Sequence, residues 1–183
     1  HEIINKLTKP HPNINIFAID EITSGQAETA HVFLKNNYLE NIVIFNVDSF
    51  YSEKQNVNEQ FSSDCSGSIQ VFESIIGEKY SYVMPSSGKT GLDKLVRVTE
   101  KVKISNFGST GLYLFKNSNI FCEGFNKLFC KVTEGSVVES YVSLIYQELI
   151  ESGHLISGFM VNKNIFHVVG TPEEYTSYCG QGS

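Results

Sequence analysis

The sequence has little of several features that would each point to a particular kind of partner. Its 183 residues include no tryptophan, four prolines and four cysteines. The 14 Lys and Arg residues form no dense run, and the net charge of -6 argues against nucleic acid as a partner. Apolar runs reach only about five to seven residues, far fewer than the roughly 20 that a membrane-spanning helix requires. We therefore expect neither a nucleic-acid nor a membrane partner.

The four cysteines occur singly, at Cys65, Cys122, Cys130 and Cys179. No Cys-x-x-Cys pair accompanies them, and no histidine stands at the spacing of a zinc ligand. We predict free thiols in a cytoplasmic protein, because disulfides are rare in that reducing compartment. With 41% apolar residues, the chain is long enough for one substantial core, which predicts a single domain over residues 1–183.

An apolar run that ends near a carboxylate is the most informative stretch. Residues 42–45 (Ile-Val-Ile-Phe) do not alternate with polar residues, a pattern typical of a strand that a parallel sheet covers on both faces. Because ligands of open α/β sheets collect beyond the carboxyl ends of strands, Asp48 is a candidate ligand of a divalent metal or a contact to a phosphorylated substrate. Aspartate also begins turns and caps helices, so the position alone leaves both interpretations open.

Upstream of this stretch the pattern predicts a strand, a helix and a strand. Residues 1–7 resemble the end of an amphipathic helix, and residues 14–19 a short strand near a sheet edge. A helix begins after Gly25, with Ser24 as its N-cap, and leads into the central strand, which makes a right-handed βαβ unit. Gly25 either allows a ligand close to the N–H groups of the helix start or serves only as a turn residue.

Downstream the pattern predicts an antiparallel extension and then further α/β structure. Three strands on short turns, at residues 68–73, 79–84 and 95–102, predict an antiparallel meander. Small polar residues then lead into an apolar strand that reaches Phe115. The remaining predicted elements are helices at residues 121–129 and 141–152, strands at 156–161 and 165–169, and a last helix capped by Thr171.

Six short segments spread over nearly the whole chain carry a family resemblance. They are Ser24-Gly25-Gln26-Ala27-Glu28-Thr29-Ala30, Phe45-Asn46-Val47-Asp48, Glu100-Lys101, residues 105–115, Glu139-Ser140-Tyr141 with the helix after it, and Val169-Gly170-Thr171-Pro172-Glu173-Glu174-Tyr175. In this order and spacing they resemble the sugar-phosphate nucleotidyltransferases, and most closely those of bacterial capsule and surface-glycan synthesis.

The resemblance implies a fold and a reaction. The implied fold is α/β, a Rossmann-like three-layer sandwich of the nucleotide-diphospho-sugar transferase type with an antiparallel extension on the acceptor side. The implied reaction joins an NTP to a sugar phosphate or similar small phosphorylated acceptor and releases pyrophosphate, with Mg²⁺ as cofactor. A homo-oligomer is a further expectation, because a chain without one neighbour of the central sheet would leave apolar surface that invites association.

The resemblance also assigns residues, by position. Those that would contact substrates are Gly25, Gln26 and Glu28 at the nucleobase, Glu100 and Gly111 at the acceptor, and Glu139 at the acceptor hydroxyls. The two that would be catalytic are Asp48, as the Mg²⁺ ligand, and Lys101, facing the acceptor or its phosphate. Attack by a phosphate oxygen on the α-phosphorus builds up negative charge, which a metal ion and an ammonium group can stabilise.

Two departures from the family pattern limit what the resemblance implies. The glycine-rich GxGxR-type loop and its Pro-Lys pair are absent, so we expect an N-terminally incomplete chain, a fragment or a natural truncation, that lacks one neighbour of the central sheet. Val168 stands where the family often has a second metal-binding aspartate, and His167 beside it should point to the other face of its strand. The alternative is therefore a non-catalytic remnant that binds a nucleotide or sugar phosphate or serves as an interaction module.

Overall fold

The computed structural model describes residues 14–61, 64–74, 79–86 and 92–180, so the helix predicted for residues 1–7 lies outside the described residues. The elements in chain order are α1 (Gln26–Leu34), β1 (Glu40–Phe45), β2 (Ser49–Tyr51), β3 (Gly67–Glu73), β4 (Ser81–Pro85), β5 (Leu95–Glu100), β6 (Phe107–Asn117), α2 (Ser118–Thr133), α3 (Val142–Glu151), β7 (Ile156–Met160), β8 (Phe166–Val168) and α4 (Pro172–Gly180). Strands and helices mixed along one chain confirm the predicted α/β class.

Strand β6 organises the main sheet. Its 11 residues pair antiparallel with β3 along one edge, while β1 and β4 share the other edge. β4 pairs with residues 107–108 and β1 with residues 112–117, so Ser109, Thr110 and Gly111 lie between the two shorter strands. The order is β5-β4-β6-β3-β7, with β1 also on β6, and β3 and β7 pair in parallel. The gap between β1 and β4 exposes the middle of β6 to a cavity.

The prediction of a parallel, doubly covered strand at residues 42–45 is wrong. β1 runs antiparallel to β6, with Ile42 opposite Phe115, and the Val43 side chain is 41% exposed. The predicted strand at residues 14–19 has no regular structure, so no βαβ unit forms in the described part of the chain. An apolar run predicts a strand but does not specify its direction, because pairing depends on a partner about 70 residues away.

The prediction of a three-strand meander is only partly confirmed. β4 and β5 form the predicted antiparallel hairpin, but β6 lies between β3 and β4 in the sheet. β2 and β8 form a separate two-stranded antiparallel sheet, in which Ser49 lies opposite Val168. This small sheet brings the segment after β1 next to the segment before α4.

Helices α2 and α3 hold β6 from one side. Phe121, Phe125 and Ile145 are buried in the main core, and the Tyr146 hydroxyl donates to the Leu114 carbonyl oxygen at 2.8 Å. A Cβ on Gly124 would lie 2.6 Å from the Ile145 Cγ2, so the glycine is what lets the two helices pack this closely. Burial of side chains this large contributes about 1.5–3 kcal/mol each, which fixes β6 and the gap beside it.

Helix α4 begins as predicted, with Thr171 as its N-cap. The Glu174 N–H donates to Thr171 Oγ1 at 3.2 Å, and the Thr171 N–H donates to Glu174 Oε2 at 3.1 Å, which is a capping box. All four cysteines are free, as predicted. None of the helices in the described ranges is long and apolar enough to cross a membrane.

Candidate functional site

A cavity of ≈ 370 Å³ opens where β1 and β4 separate along β6. Asp48 reaches it from the segment after β1, Ser81 from the start of β4, Glu100 from the end of β5, and Gly111 from the middle of β6. Ends of separate strands thus meet at one cavity, whose volume lies within the range of small-ligand sites. We call it the strand-end cavity.

Asp48 lies against a glycine. A Cβ on Gly170 would lie 3.0 Å from the Asp48 Cβ and 3.2 Å from its Oδ2, so the carboxylate occupies space that only glycine leaves open. The Val169 N–H donates to the Asp48 carbonyl oxygen at 2.9 Å, which fixes the backbone there. Asp48 lines the cavity at its solvent-exposed side.

Val168 also lines the strand-end cavity, so the apolar residue at the position of a second metal aspartate does face the site. Within the described ranges, no group of three or more His, Cys, Asp or Glu side chains could hold a metal ion. A single carboxylate fits Mg²⁺ only in the mode in which substrate phosphates and water supply the other ligands. The His167 ring packs at a tilt against Phe50 and Tyr178, with centroid distances of 5.1 Å and 5.0 Å.

Glu100 is held by two hydroxyl groups. Ser81 Oγ donates to Glu100 Oε2 at 2.5 Å, and Ser143 Oγ, from α3, donates to the same oxygen at 2.8 Å. Hydrogen bonds of this kind stabilise the negative charge of a carboxylate that is half-buried. Both bonds go to Oε2, so Oε1 is the oxygen that can accept a hydrogen bond from a ligand in the cavity.

Gly111 is needed for close packing with Asn46. Its φ of +82° favours glycine, and a Cβ there would lie 2.7 Å from the Asn46 Nδ2. The Asn46 N–H donates to the Gly111 carbonyl oxygen at 3.1 Å, and Asn46 Oδ1 accepts from Gln26 Nε2 at 2.5 Å. Asn46, which the sequence reasoning did not select, therefore connects Gln26 at the start of α1 to the cavity.

The start of α1 packs against the segment before α3. The Ala27 N–H donates to the Ser140 carbonyl oxygen at 2.8 Å, and a Cβ on Gly25 would lie 2.8 Å from that oxygen. Ser24 is not the N-cap that the sequence predicts, since its hydroxyl bonds to Ser140 Oγ at 3.0 Å and Gly25 precedes the helix. Glu28 instead accepts from the Ser24 N–H at 2.6 Å.

Lys101 and Glu139 lie beside this segment. The Lys101 ammonium donates to the Tyr141 hydroxyl at 2.7 Å and lies 4.8 Å from the centre of its ring. That hydrogen bond is the main cause of a raised Lys101 pKa, and a hydrogen bond with Glu139 is the main cause of a raised Tyr141 pKa. We call the residues Gly25, Glu28, Lys101, Glu139 and Tyr141 the α1-start cluster.

The predicted site residues thus divide into two groups. Asp48, Glu100 and Gly111 line the strand-end cavity. Gly25, Glu28, Lys101 and Glu139 are absent from its described lining and belong to the α1-start cluster, while Gln26 reaches the cavity through Asn46. The sequence reasoning missed Asn46, Ser49, Lys79, Ser81 and Glu174.

A buried polar network lies beneath the cavity. The Tyr51 hydroxyl donates to Gln70 Oε1 and is hydrogen-bonded with Thr110 Oγ1, and Thr110 in turn donates to Gln70 Oε1 at 2.9 Å. Burial raises the pKa of Tyr51 to about 12. Burial also raises the pKa of Tyr113, another residue that lines the cavity. Tyr51, Gln70 and Thr110 are hydrogen-bonded to one another, which keeps this wall of the cavity rigid.

This arrangement is the fold of the nucleotidyltransferases. One similar solved structure is a nucleoside-diphosphate-sugar pyrophosphorylase from Vibrio cholerae, with a TM-score of 0.80 and 24% identity over 98% of this chain and 76% of that one. Another is the inositol-1-phosphate CTP transferase from T. maritima, with a TM-score of 0.72 and 13% identity over 98% of this chain and 70% of that one. A third is the CTP:phosphocholine cytidylyltransferase from Streptococcus pneumoniae, with a TM-score of 0.74 and 9% identity over 100% of this chain and 74% of that one. No family model and no curated protein matches the chain. The fold implied by the sequence resemblance is thereby confirmed.

Proposed function

We propose that this protein is a nucleotidyltransferase that transfers a nucleoside monophosphate from an NTP to a sugar phosphate or similar phosphate monoester and releases pyrophosphate. The product would be an activated precursor for capsule or surface-polysaccharide synthesis. One observation carries the proposal. In a fold shared with nucleotidyltransferases, the strand-end cavity gathers Asp48, Glu100 and Gly111 from three different segments of the chain.

The reaction needs a site that stabilises negative charge. An acceptor phosphate oxygen forms a bond to the α-phosphorus, while the bond from that phosphorus to the bridging oxygen breaks and the electron pair leaves with pyrophosphate. Asp48, with substrate oxygens, would hold Mg²⁺, which when bound supplies Lewis-acid stabilisation of this charge. Lys101 would add an ammonium group after leaving Tyr141, and Glu100 Oε1 would accept a hydrogen bond from the acceptor.

The nucleotide would lie on the α1 side of the cavity. This assignment to Gln26 is supported by the hydrogen bond from its side-chain amide to Asn46 on the cavity wall. Gly25 and Glu28 would support it from the helix start. Glu139, which the resemblance relates to the acceptor hydroxyls, lies beside Gly25 and is not among the described residues that line the cavity.

A pyrophosphate-release screen tests the proposal. The four NTPs are combined with a panel of phosphate monoesters in the presence of Mg²⁺, using the unaltered protein, Asp48→Asn and Asp93→Asn. Asp93 is an exposed turn residue that is not among the described residues of the cavity, so it controls for loss of charge alone. We expect turnover that Asp48→Asn lowers roughly 100-fold or more and Asp93→Asn leaves unchanged. Turnover that survives Asp48→Asn would contradict the assignment.

A second function, a non-catalytic module that binds a nucleotide or sugar phosphate, is favoured by Val168, whose side chain occupies the cavity position expected of a carboxylate. This alternative predicts no pyrophosphate from any combination. It also predicts that an NTP or a sugar phosphate still raises the melting temperature. Pyrophosphate release distinguishes the two functions, and a melting curve recorded beside each assay shows whether a chain without turnover still binds the ligand.

A further inference from the structure

Ser49 carries a hydroxyl group whose position the proposed function does not explain. Its side chain is 7% exposed, and in the described part of the chain its Oγ is the one buried side-chain nitrogen or oxygen without a hydrogen-bond partner. Ser49 also lines the strand-end cavity. Burial of a hydroxyl without a partner is unfavourable, so a partner supplied from the cavity is expected.

The direction of this side chain follows from its strand. Side chains alternate along β2, so Ser49 and Tyr51 share one face while Phe50 takes the other and packs on His167 and Tyr178. The Tyr51 hydroxyl is already engaged with Gln70 and Thr110. The polar network beneath the cavity is therefore closed on itself and leaves Ser49 without an internal partner.

The charges around the cavity indicate what kind of group Ser49 meets. Its described lining has three carboxylates, Asp48, Glu100 and Glu174, against the single ammonium of Lys79, which lies 3.7 Å from Glu174 Oε1. A phosphate oxygen beside Ser49 would need a bound cation to offset the repulsion from the three carboxylates, whereas a neutral hydroxyl needs none. A serine hydroxyl both donates and accepts, which matches another hydroxyl.

We propose that Ser49 is a specificity-determining residue whose Oγ hydrogen-bonds a hydroxyl group of the acceptor, so that the site selects phosphate monoesters of polyhydroxylated compounds. The inference rests on the proposed function in that it takes the strand-end cavity as the acceptor site. An acceptor whose far end is a trimethylammonium group has no hydroxyl and would leave Ser49 without a partner. A site with an unsatisfied polar group disfavours such a ligand.

The experiment compares the unaltered protein with Ser49→Ala and the control Ser52→Ala. Ser52 lies just after β2, is exposed, and directs its hydroxyl at the Ile165 carbonyl oxygen and away from the cavity. The probes are hexose 1-phosphates, inositol 1-phosphate, phosphocholine, and the monodeoxy analogues of the tightest-binding hydroxylated probe. Calorimetric binding gives affinity without turnover, melting temperature gives stability, and pyrophosphate release gives kcat/KM.

We expect Ser49→Ala to weaken binding of the hydroxylated probe roughly 10- to 100-fold and that of phosphocholine by no more than about twofold. One monodeoxy analogue should bind the unaltered protein and Ser49→Ala equally, because the contact is absent from both complexes. Without ligand, Ser49→Ala should melt at the same or a higher temperature, since it removes an unpartnered buried hydroxyl. Ser52→Ala should match the unaltered protein in affinity.

Several results would overturn the inference. They are an equal loss for phosphocholine, no loss for any hydroxylated probe, an equal response to every monodeoxy analogue, and no binding of hydroxylated probes by the unaltered protein. Failure of the inference about Ser49 is distinguishable from failure of the proposed function. Turnover that does not depend on Ser49 refutes only the inference, whereas Ser49-dependent binding without pyrophosphate release from any NTP refutes only the reaction.

Discussion

The strand-end cavity and the α1-start cluster contain the same kinds of residues but use them differently. In the cluster the polar groups already have partners, since the Glu28 carboxylate accepts from the N–H of neighbouring Ser24 and Lys101 donates to Tyr141. In the cavity Ser49 has no partner, and both bonds to Glu100 fall on one oxygen. The cavity is therefore prepared for a ligand, whereas a ligand at the cluster must first replace internal hydrogen bonds.

The largest expected effect is on the stability of the cluster. Gly25→Ala places a Cβ 2.8 Å from the Ser140 carbonyl oxygen at a φ of +146°, and that oxygen is fixed by the Ala27 N–H. We expect the free energy of unfolding to fall by about 2–4 kcal/mol. Urea denaturation measures this loss. Acceptor affinity of the folded variant should be unchanged, because Gly25 is absent from the described lining of the cavity.

Gly135→Ala is the matched control for that variant. Gly135 also has a positive φ, +77°, but a Cβ there would meet nothing within 4 Å. It should therefore lose only about 1–2 kcal/mol, from backbone strain alone. Equal losses in the two variants would show that the contact with Ser140 does not stabilise the α1-start cluster.

The second prediction asks which carboxylate binds the acceptor. Glu100→Gln should weaken binding of a hydroxylated phosphate monoester by roughly 10-fold, because a hydrogen bond to a charged group contributes about 1.5–3 kcal/mol. The geometry favours Glu100 over Glu139, whose Cγ lies beside Gly25. Calorimetry on Glu100→Gln, Glu139→Gln and the exposed control Glu134→Gln measures the difference. A larger loss in Glu139→Gln would move the acceptor site to the α1-start cluster.

The third prediction concerns a second carboxylate introduced into the strand-end cavity. Val168→Asp places a second carboxylate on the cavity wall, on the strand residue opposite Ser49 and beside the Asp48 segment. We expect Mn²⁺, used as a spectroscopic probe for Mg²⁺, to bind roughly 10-fold tighter, since affinity for hard cations rises with carboxylate ligands. Val96→Asp, at a 41% exposed position on β5, is the control. Equal affinity in the two variants would place Val168 too far from Asp48 to share an ion.

Local patterns predicted most helices and strands, because each depends on nearby residues. The helix at Gln26–Leu34 and the capped helix at Pro172–Gly180 follow from periodicity and end signals within one or two turns. The sheet order did not follow. β6 separates β3 from β4 because it pairs with both, and nothing local in residues 68–84 indicates a partner that comes later in the chain.

The site was predictable only where a residue type has a strong chemical meaning. Asp48 was predicted as a carboxylate at a strand end and Glu100 from its place in a family motif, and the structure brings both to the cavity. Asn46 and Ser49 were missed because an amide and a hydroxyl beside an aspartate are common in turns. The available signal was alternation, since a strand over residues 49–51 turns Ser49 and Tyr51 to the same face.

The smallest expected effect is a difference in pH dependence between the two regions, measured with Tyr51→Phe and Tyr141→Phe. The pKa of Tyr51 is raised to about 12 in the folded chain, so between about pH 10 and 12 the unfolded chain loses this proton while the folded chain keeps it. Stability that is fully present below about pH 10 is therefore lost as pH rises through this window. Tyr51→Phe should reduce the loss by about 1 kcal/mol, a value discounted for partial exposure.

Tyr141 provides the comparison, because its pKa is raised chiefly by hydrogen bonding to Glu139 at a partly exposed position where solvent screens the interaction. Tyr113 and Tyr146 have raised pKa values in both variants and cancel in the difference. Urea denaturation at about pH 9 and about pH 11.5 should therefore show a flatter profile for Tyr51→Phe than for Tyr141→Phe. The opposite order would mean that the α1-start cluster, and not the wall of the strand-end cavity, is the better shielded of the two regions.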